Sequence, residues 1–403
     1  LQQKLHISTC AGVIEALEVI FGKRIYADKA VERILKTNKK WGVRDRGFVA
    51  ENTYDMVRNW RYLWACYDKD PILKRKELWS LFGIHLLSKG YTLPDWPKFD
   101  DIREFIFPDT QSWPLEVMES YPNWLHERAS TELGDAWPPI ALEMNKQAAL
   151  IIRANTLKTD RDALIVKLAA EGIPSSPLEG TDAGIIMEKR VNNFRLNSFT
   201  EGLFEVQDGG SQQIAPALEV QPGMRVIDAC AGAGGKSLQI AAAMQNQGTI
   251  IAMDVEGWKL NELKKRARRN GVHNIETREI EGGKTIKRLA ASADRLLLDV
   301  PCSGTGVIKR NPDTKWKLEP EHVERVIAIQ QEILESYAIM VKPGGRLVYA
   351  TCSILRSENE DQVARFAEKH QHEFTLINMH RVHPGPYSDG FFHATFERKT
   401  ENP

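Results

Sequence analysis

From residue 222 onward, short apolar runs alternate with amphipathic stretches, a pattern that few folds accommodate. Strand-like runs occupy residues 224–228, 249–254, 295–300 and 345–351, and helical spacing fills 236–244, 259–270, 319–340 and 358–369. Alternation of this kind implies βαβ units and a mostly parallel sheet. Ligands of such open sheets bind beyond the carboxyl ends of the strands. The residues that follow each strand are therefore the ones to read for chemistry.

The first strand runs into Asp228-Ala229-Cys230-Ala231-Gly232-Ala233-Gly234-Gly235-Lys236-Ser237 and then a helix. Glycines there let backbone approach a ligand closely, and the helix start presents unpaired N–H groups. A phosphate-binding loop needs glycine five residues before Gly235, where Cys230 stands, and a dinucleotide fingerprint needs one at 237, where Ser237 stands. Both phosphate readings fail. The second strand ends in Asp254, placed to bond ribose hydroxyls. A nucleoside cofactor without phosphate machinery best matches S-adenosylmethionine, with Cys230, Ala231, Gly232, Ala233, Gly234, Gly235, Lys236 and Asp254 as its candidate contacts.

Two further strand ends carry cysteine. One reads Asp299-Val300-Pro301-Cys302-Ser303-Gly304-Thr305-Gly306 and the other Tyr349-Ala350-Thr351-Cys352-Ser353. A single buried cysteine is ordinary packing. Two in matching settings, with Asp299 alongside, point to a reactive pair facing the cofactor. Cys230 reads as packing or as a backbone contact to the cofactor. The five cysteines are odd in number and lack CxxC spacing, which argues against a disulfide scaffold and a cysteine zinc site. No metal is expected. A reducing, cytoplasmic location and a monomer are.

The 403 residues suggest two or three domains at about 150 residues each. Residues 1–105 have helical spacing, 93–140 are rich in Pro and Trp and acidic, and 141–205 read as a small mixed unit. No apolar run approaches a membrane span, and the N-terminal apolar stretch carries Glu15 and Glu18, unlike a signal peptide. Lys plus Arg equals Asp plus Glu at 54 each, yet residues 1–90 sum to +7, 91–140 to −7 and 259–317 to +8. Neutrality here is a sum of opposed patches. It argues against a generic, salt-driven grip on nucleic acid rather than against nucleic acid as such.

These motifs carry a family resemblance. Residues 230–237, 299–313 and Thr351-Cys352-Ser353 with Glu358-Asn359-Glu360 resemble RsmB-type (Nop/Sun) RNA cytosine-5 methyltransferases. Tyr121-Pro122-Asn123-Trp124-Leu125, Arg153-Ala154-Asn155-Thr156-Leu157 and Val206-Gln207-Asp208 with Ser211-Gln212 resemble that family's RNA-recognition segment. The stretch from Arg44 to Arg61 resembles a NusB-like domain, and His383-Pro384 with Asp389-Gly390-Phe391-Phe392 resembles the closing motif. The resemblance implies an α/β fold: a class I (Rossmann-like) methyltransferase domain at 206–403, preceded by a linker and small α+β RNA-recognition segment at 106–205 and an all-α NusB-like domain at 1–105. It implies Cys352 as nucleophile on carbon 6 of cytosine, Cys302 as the residue assisting release, and Asp299 as a contact to the base and the cofactor. Glu281 is the nearest candidate for the adenine side, and Lys309 and Arg310 for RNA phosphates. The expected substrate is 16S rRNA, with tRNA or a non-catalytic assembly role as alternatives. A DNA-type mechanism would make Cys302 the attacker and leave Cys352 without a role. One departure stands out: Gly232-Ala233 replaces the family's Ala-Pro, loosening the turn.

Overall fold

The computed structural model describes residues 4–189 and 195–400. The chain forms two compact units, one of Leu1–Asn145 with Arg310–Leu318, the other of Lys146–Lys309 with Glu319–Pro403.

The first unit is helical. Helices Ile7–Leu17, Ala27–Thr37, Val43–Arg58, Trp60–Tyr67 and Arg75–Ser88 bury one apolar core that includes Val13, Met56, Trp64 and Phe82. The helical unit continues past residue 105 to Asn145. The prolines that suggest a linker instead start helices: Pro122 caps Asn123–Leu133, and Pro138 and Pro139 lie in the first turn of Trp137–Met144. Proline tolerates those positions because the first-turn N–H groups have no helical acceptor. Tyr121 is buried there, its hydroxyl donating to the Ala141 carbonyl at 3.0 Å.

Residues 310–318 leave the α/β unit and complete the helical one. Asp313 accepts from the Ala27 amide at 2.9 Å, and the Trp316 indole donates to the Val57 carbonyl at 2.7 Å. Trp316 is thus a packing residue and not a free platform for a base.

The second unit holds two sheets. The smaller is antiparallel, with β1 (Leu150–Ala154), β2 (Ser175–Pro177), β3 (Gly184–Met187) and β4 (Phe204–Val206) in the order β2-β3-β1-β4. The larger has seven strands: β5 (Arg225–Asp228), β6 (Thr249–Asp254), β7 (Ile275–Glu279), β8 (Ala293–Asp299), β9 (Val341–Thr351), β10 (Phe374–Val382) and β11 (Phe391–Arg398). Their order is β10-β11-β9-β8-β5-β6-β7; β5 to β9 run parallel, and β11 is antiparallel to both β9 and β10. Residues such as Ile227, Ile251, Leu296 and Leu347 are fully buried, as strands covered on both faces require. The four strand-like runs read from the sequence are all strands of this sheet. The order reverses between β5 and β8, which makes the carboxyl edge of those strands the topological switch point.

The two sheets are bracketed through side chains. Buried Asn155, just after β1, donates to the carbonyls of Gly202 and Asn270, each at 2.8 Å. Buried Glu205 on β4 accepts from Arg266 at 2.8 Å and from Arg269 and Asn270 of the helix Gly257–Asn270. The resemblance places Asn155 in an RNA-recognition segment; its side chain is committed to this bracket.

Candidate active site

The glycine-rich turn leaves β5 and enters the helix Gly235–Ala243. Gly234 has φ +87°, and a Cβ there would meet the Leu263 side chain at 2.4 Å, so both conformation and packing require glycine. Asp254, at the end of β6, accepts from the Gly232 amide and the Glu256 amide, each at 2.9 Å, which fixes the turn against the acid.

A cavity of about 220 Å³ opens at this edge. Its walls come from Cys230 and Gly232 of the turn, Asp254 and Val255 at the end of β6, Ile280 after β7, Asp299 and Pro301 at the end of β8, and Ile333 and Tyr337 of the helix Pro320–Tyr337. Of the residues expected to hold a cofactor, Cys230, Gly232, Asp254 and Asp299 line it; Ala231, Ala233, Gly234, Gly235 and Lys236 shape the turn and helix start behind. Glu281 does not line it. Its side chain is exposed, and Ile280 takes the place on the wall, because the residue immediately after β7 faces inward and the next faces solvent. Lys259, Ile333 and Tyr337 were not legible from sequence, since each sits in a helix whose pattern reads as scaffold.

The two cysteines meet. Cys302 Sγ lies 3.3 Å from Cys352 Sγ, beyond the ends of adjacent parallel strands β8 and β9. Beside them Lys236 Nζ donates to Asp299 Oδ2 at 2.6 Å. Burial works against the Lys236 charge, but Asp299 overrides it and holds the ammonium above the usual lysine range. The hydrogen bond to Cys352, burial, and the charges of Cys352 and Glu358 push the Cys302 thiol well up. Cys230 is also pushed well up, by burial and then by Asp228, Asp299 and Asp254.

Gly306 ties these turns together. Its amide donates to the Cys352 carbonyl at 2.9 Å, its carbonyl accepts from the Gly390 amide at 2.9 Å, and a Cβ there would stand 2.1 Å from the Gly390 oxygen. The closing motif is thus tied to the turn that follows Cys302.

The basic residues need correction. Lys309 is 3% exposed and its ammonium donates to the Gly385 carbonyl at 2.7 Å. It braces the 383–390 turn and is not a surface contact for phosphate. Arg310 is half-buried and opens the segment that belongs to the helical unit. Along the helix Gly257–Asn270, Lys264, Lys265 and Arg268 are exposed, whereas Arg266 and Arg269 turn inward to Glu205. A separate cavity of about 520 Å³ on the small-sheet side is lined by Arg153, Gln212 and Gln239 and does not include the cysteines. Among the described residues no group of three or more His, Cys, Asp or Glu could hold a metal ion, and no helix is long and apolar enough to cross a membrane.

A seven-stranded sheet of this order, with an antiparallel penultimate position and an acid-lipped cavity at the switch point, defines the class I (Rossmann-like) methyltransferase fold. Residues 215–397 match the family model for 16S rRNA methyltransferase RsmB/F, and residues 121–193 match that family's ferredoxin-like domain. The chain belongs to the RsmB/F family. It is 35% identical over 268 residues to the probable ribosomal RNA small subunit methyltransferase B of Synechocystis, covering 65% of this chain and 60% of that protein. It is 34% identical over 282 residues to ribosomal RNA small subunit methyltransferase B of Proteus mirabilis, covering 69% and 66%. The chain thus spans about three fifths to two thirds of the curated relatives it matches. The crystal structure of PH0851 is similar with a TM-score of 0.81 at 26% identity, covering 98% of this chain and 100% of that one.

Proposed function

We propose that this chain is an S-adenosylmethionine-dependent RNA cytosine-5 methyltransferase whose substrate is 16S rRNA. The observation that carries the reading is the pair of sulfurs 3.3 Å apart beside the Lys236–Asp299 ion pair. The names of the relatives support the rRNA substrate, and the helical unit is proposed as a NusB-like module serving it.

The residues around the cavity fit the cofactor. Asp254 stands where a ribose diol would be bonded, and Val255, Ile280, Ile333 and Tyr337 offer walls for an adenine ring. When bound, S-adenosylmethionine supplies the sulfonium methyl group. Carbon 5 of cytosine is a weak nucleophile and needs electrons pushed into the ring. In this reading Cys352 does so, its thiolate forming a bond to carbon 6. Asp299, steadied by Lys236, accepts from the exocyclic amine of the base. Cys302 later assists loss of the carbon-5 proton, and the electron pair left behind re-forms the carbon-5–carbon-6 double bond and expels Cys352 as thiolate. The target base must be unpaired or swung out to reach these groups.

The cysteine pair provides the test. Cys352→Ala is expected to abolish both methyl transfer and covalent protein–RNA adduct, and Cys302→Ala to accumulate an adduct stable on a denaturing gel. The opposite pattern overturns the role assignment, and wild-type protein that transfers no methyl group to rRNA or tRNA overturns the function. Methylation-site sequencing of both RNAs, with and without the enzyme, identifies the nucleotide.

A further inference from the structure

Glu358 is fully buried, and its carboxylate is spent on the two cysteine-bearing turns and the helix behind them. Oε1 accepts from the Ser303 amide at 2.8 Å and from Gln330 Nε2 at 2.9 Å. Oε2 accepts from the hydroxyls of Ser303 and Ser353. Ser303 directly follows Cys302 and Ser353 directly follows Cys352, so one carboxylate grips the same position on both turns. Gln330 also donates to the Pro301 carbonyl at 2.9 Å, and Asn359 Nδ2 donates to the Ser353 carbonyl at 2.9 Å. Every one of these donors to Glu358 is neutral. A buried carboxylate held without a cation is costly, and a glutamine of the same size could make most of these contacts.

We propose that Glu358 is a positioning residue for the proposed methyl transfer: its carboxylate clamps the two cysteine turns in register, and its negative charge gives the two thiols their different roles. The second part follows from which charges face which sulfur. Cys302, at the end of β8, is faced by Glu358 from the turn before the helix Glu360–Lys369 and by Tyr349 and Cys352 from β9 and the turn after it. Glu358 is among the groups that raise the Cys302 thiol, after its hydrogen bond to Cys352, burial and the charge of Cys352. Cys352 is faced by the Lys236 ammonium from the helix Gly235–Ala243, which is itself paired with Asp299. A cation on one side and an anion on the other make the two sulfurs electrostatically unequal, and the Cys302 thiol is the one held up. What the thiols then do rests on the proposed function; the clamp and the charge asymmetry belong to the protein itself.

The decisive measurement is the pH profile of Cys302 alkylation by iodoacetamide, followed by peptide mass spectrometry in the full-length chain. In a Cys352→Ala background, adding Glu358→Gln is expected to lower the midpoint by about one pH unit, the size of shift one nearby buried charge produces. A residue that only braced the fold would alter the melting temperature without moving this midpoint, and an unchanged midpoint overturns the charge assignment. Glu358→Asp in the otherwise wild-type chain keeps the charge and shortens the arm. It is expected to lower kcat by about tenfold or more through misplaced sulfurs, with KM for S-adenosylmethionine unchanged. Full kcat in Glu358→Asp overturns the clamp, and if Glu358→Gln does not fold, a Cys302 midpoint left unmoved by Glu358→Asp in the Cys352→Ala background overturns the charge assignment. The alkylation profile needs neither RNA nor cofactor, so wild-type protein without methyl transfer would refute the functional reading while the midpoint still decides on Glu358.

Discussion

Asp228 shows how a site of this kind loads cost onto single residues. It ends β5 with 1% of its surface exposed; Oδ2 accepts from the Ser237 hydroxyl at 2.6 Å, and Oδ1 has no partner among the described residues. Burial pushes its carboxyl up to about 7, with the Ser237 hydrogen bond pulling it back and Asp299 adding to the rise. The sign follows from linkage. Between the ordinary value of 3.8 and about 7 the folded state keeps a proton that the unfolded chain gives up, so raising the pH through that window favours unfolding. The gap corresponds to about 4 kcal/mol at most. Asp228→Asn removes the titration and leaves the size unchanged. Its melting temperature relative to wild type is expected to rise between pH 5 and pH 8, checked by calorimetry at both; a difference independent of pH would show that Asp228 is already ionised in the folded protein. The cost is local to the cofactor turn, where the Asp228–Ser237 bond ties the end of β5 to the helix that carries Lys236.

At the scale of elements, the inserted segment Arg310–Leu318 is held by an arrangement of helix ends. The buried Lys315 ammonium donates to the Arg58 carbonyl at 2.7 Å, the Glu119 carbonyl at 3.1 Å and Asn145 Oδ1 at 2.8 Å. These groups lie at the carboxyl ends of Val43–Arg58, Leu115–Met118 and Trp137–Met144, where unpaired carbonyls and the helix dipoles favour a cation. Lys315→Met is expected to destabilise the protein by about 2–4 kcal/mol, because three acceptors lose the donor they share. Urea unfolding measures it, and a loss under about 0.5 kcal/mol, the level of an ordinary surface substitution, would show the cap to be dispensable. The sequence makes the core strands legible for a local reason: their apolar runs are bounded by turn residues and alternate with helical spacing. It hides β7 and β10, since both are sheet edges where exposed polar residues such as Arg278 and His380 break up the apolar pattern. It also hides the role of residues 310–318, whose partners lie 170 to 292 positions away and leave no local pattern. The cysteine pair was legible because each cysteine follows a strand whose end could be located. Glu281 and Lys309 were misplaced because a motif's neighbourhood does not say which side chains turn inward.

For the whole molecule, the equal count of 54 basic and 54 acidic residues acquires a physical meaning once the cations are placed. The stretch 259–317 carries +8, yet Lys309, Lys315 and Lys317 are buried or nearly so and donate to backbone carbonyls, and Arg266 and Arg269 are paired with Glu205. Much of the positive charge that looks available for phosphates is spent on holding turns and helix ends. RNA binding by the proposed enzyme should therefore depend weakly on salt. Each neutralised phosphate of a single strand contributes about −0.7 to the slope of log K against log salt, so engagement of no more than about four phosphates gives a slope no steeper than about −3. Titrating a fluorescent rRNA fragment with the Cys352→Ala protein at several potassium chloride concentrations measures that slope. A value near −7 would mean about ten phosphates are neutralised, and would place the RNA on exposed cations such as Lys264, Lys265 and Arg268. A shallow slope together with tight binding would put recognition in the shape and the exposed base of the RNA, which is what a pocket built around two thiols and an aspartate can read.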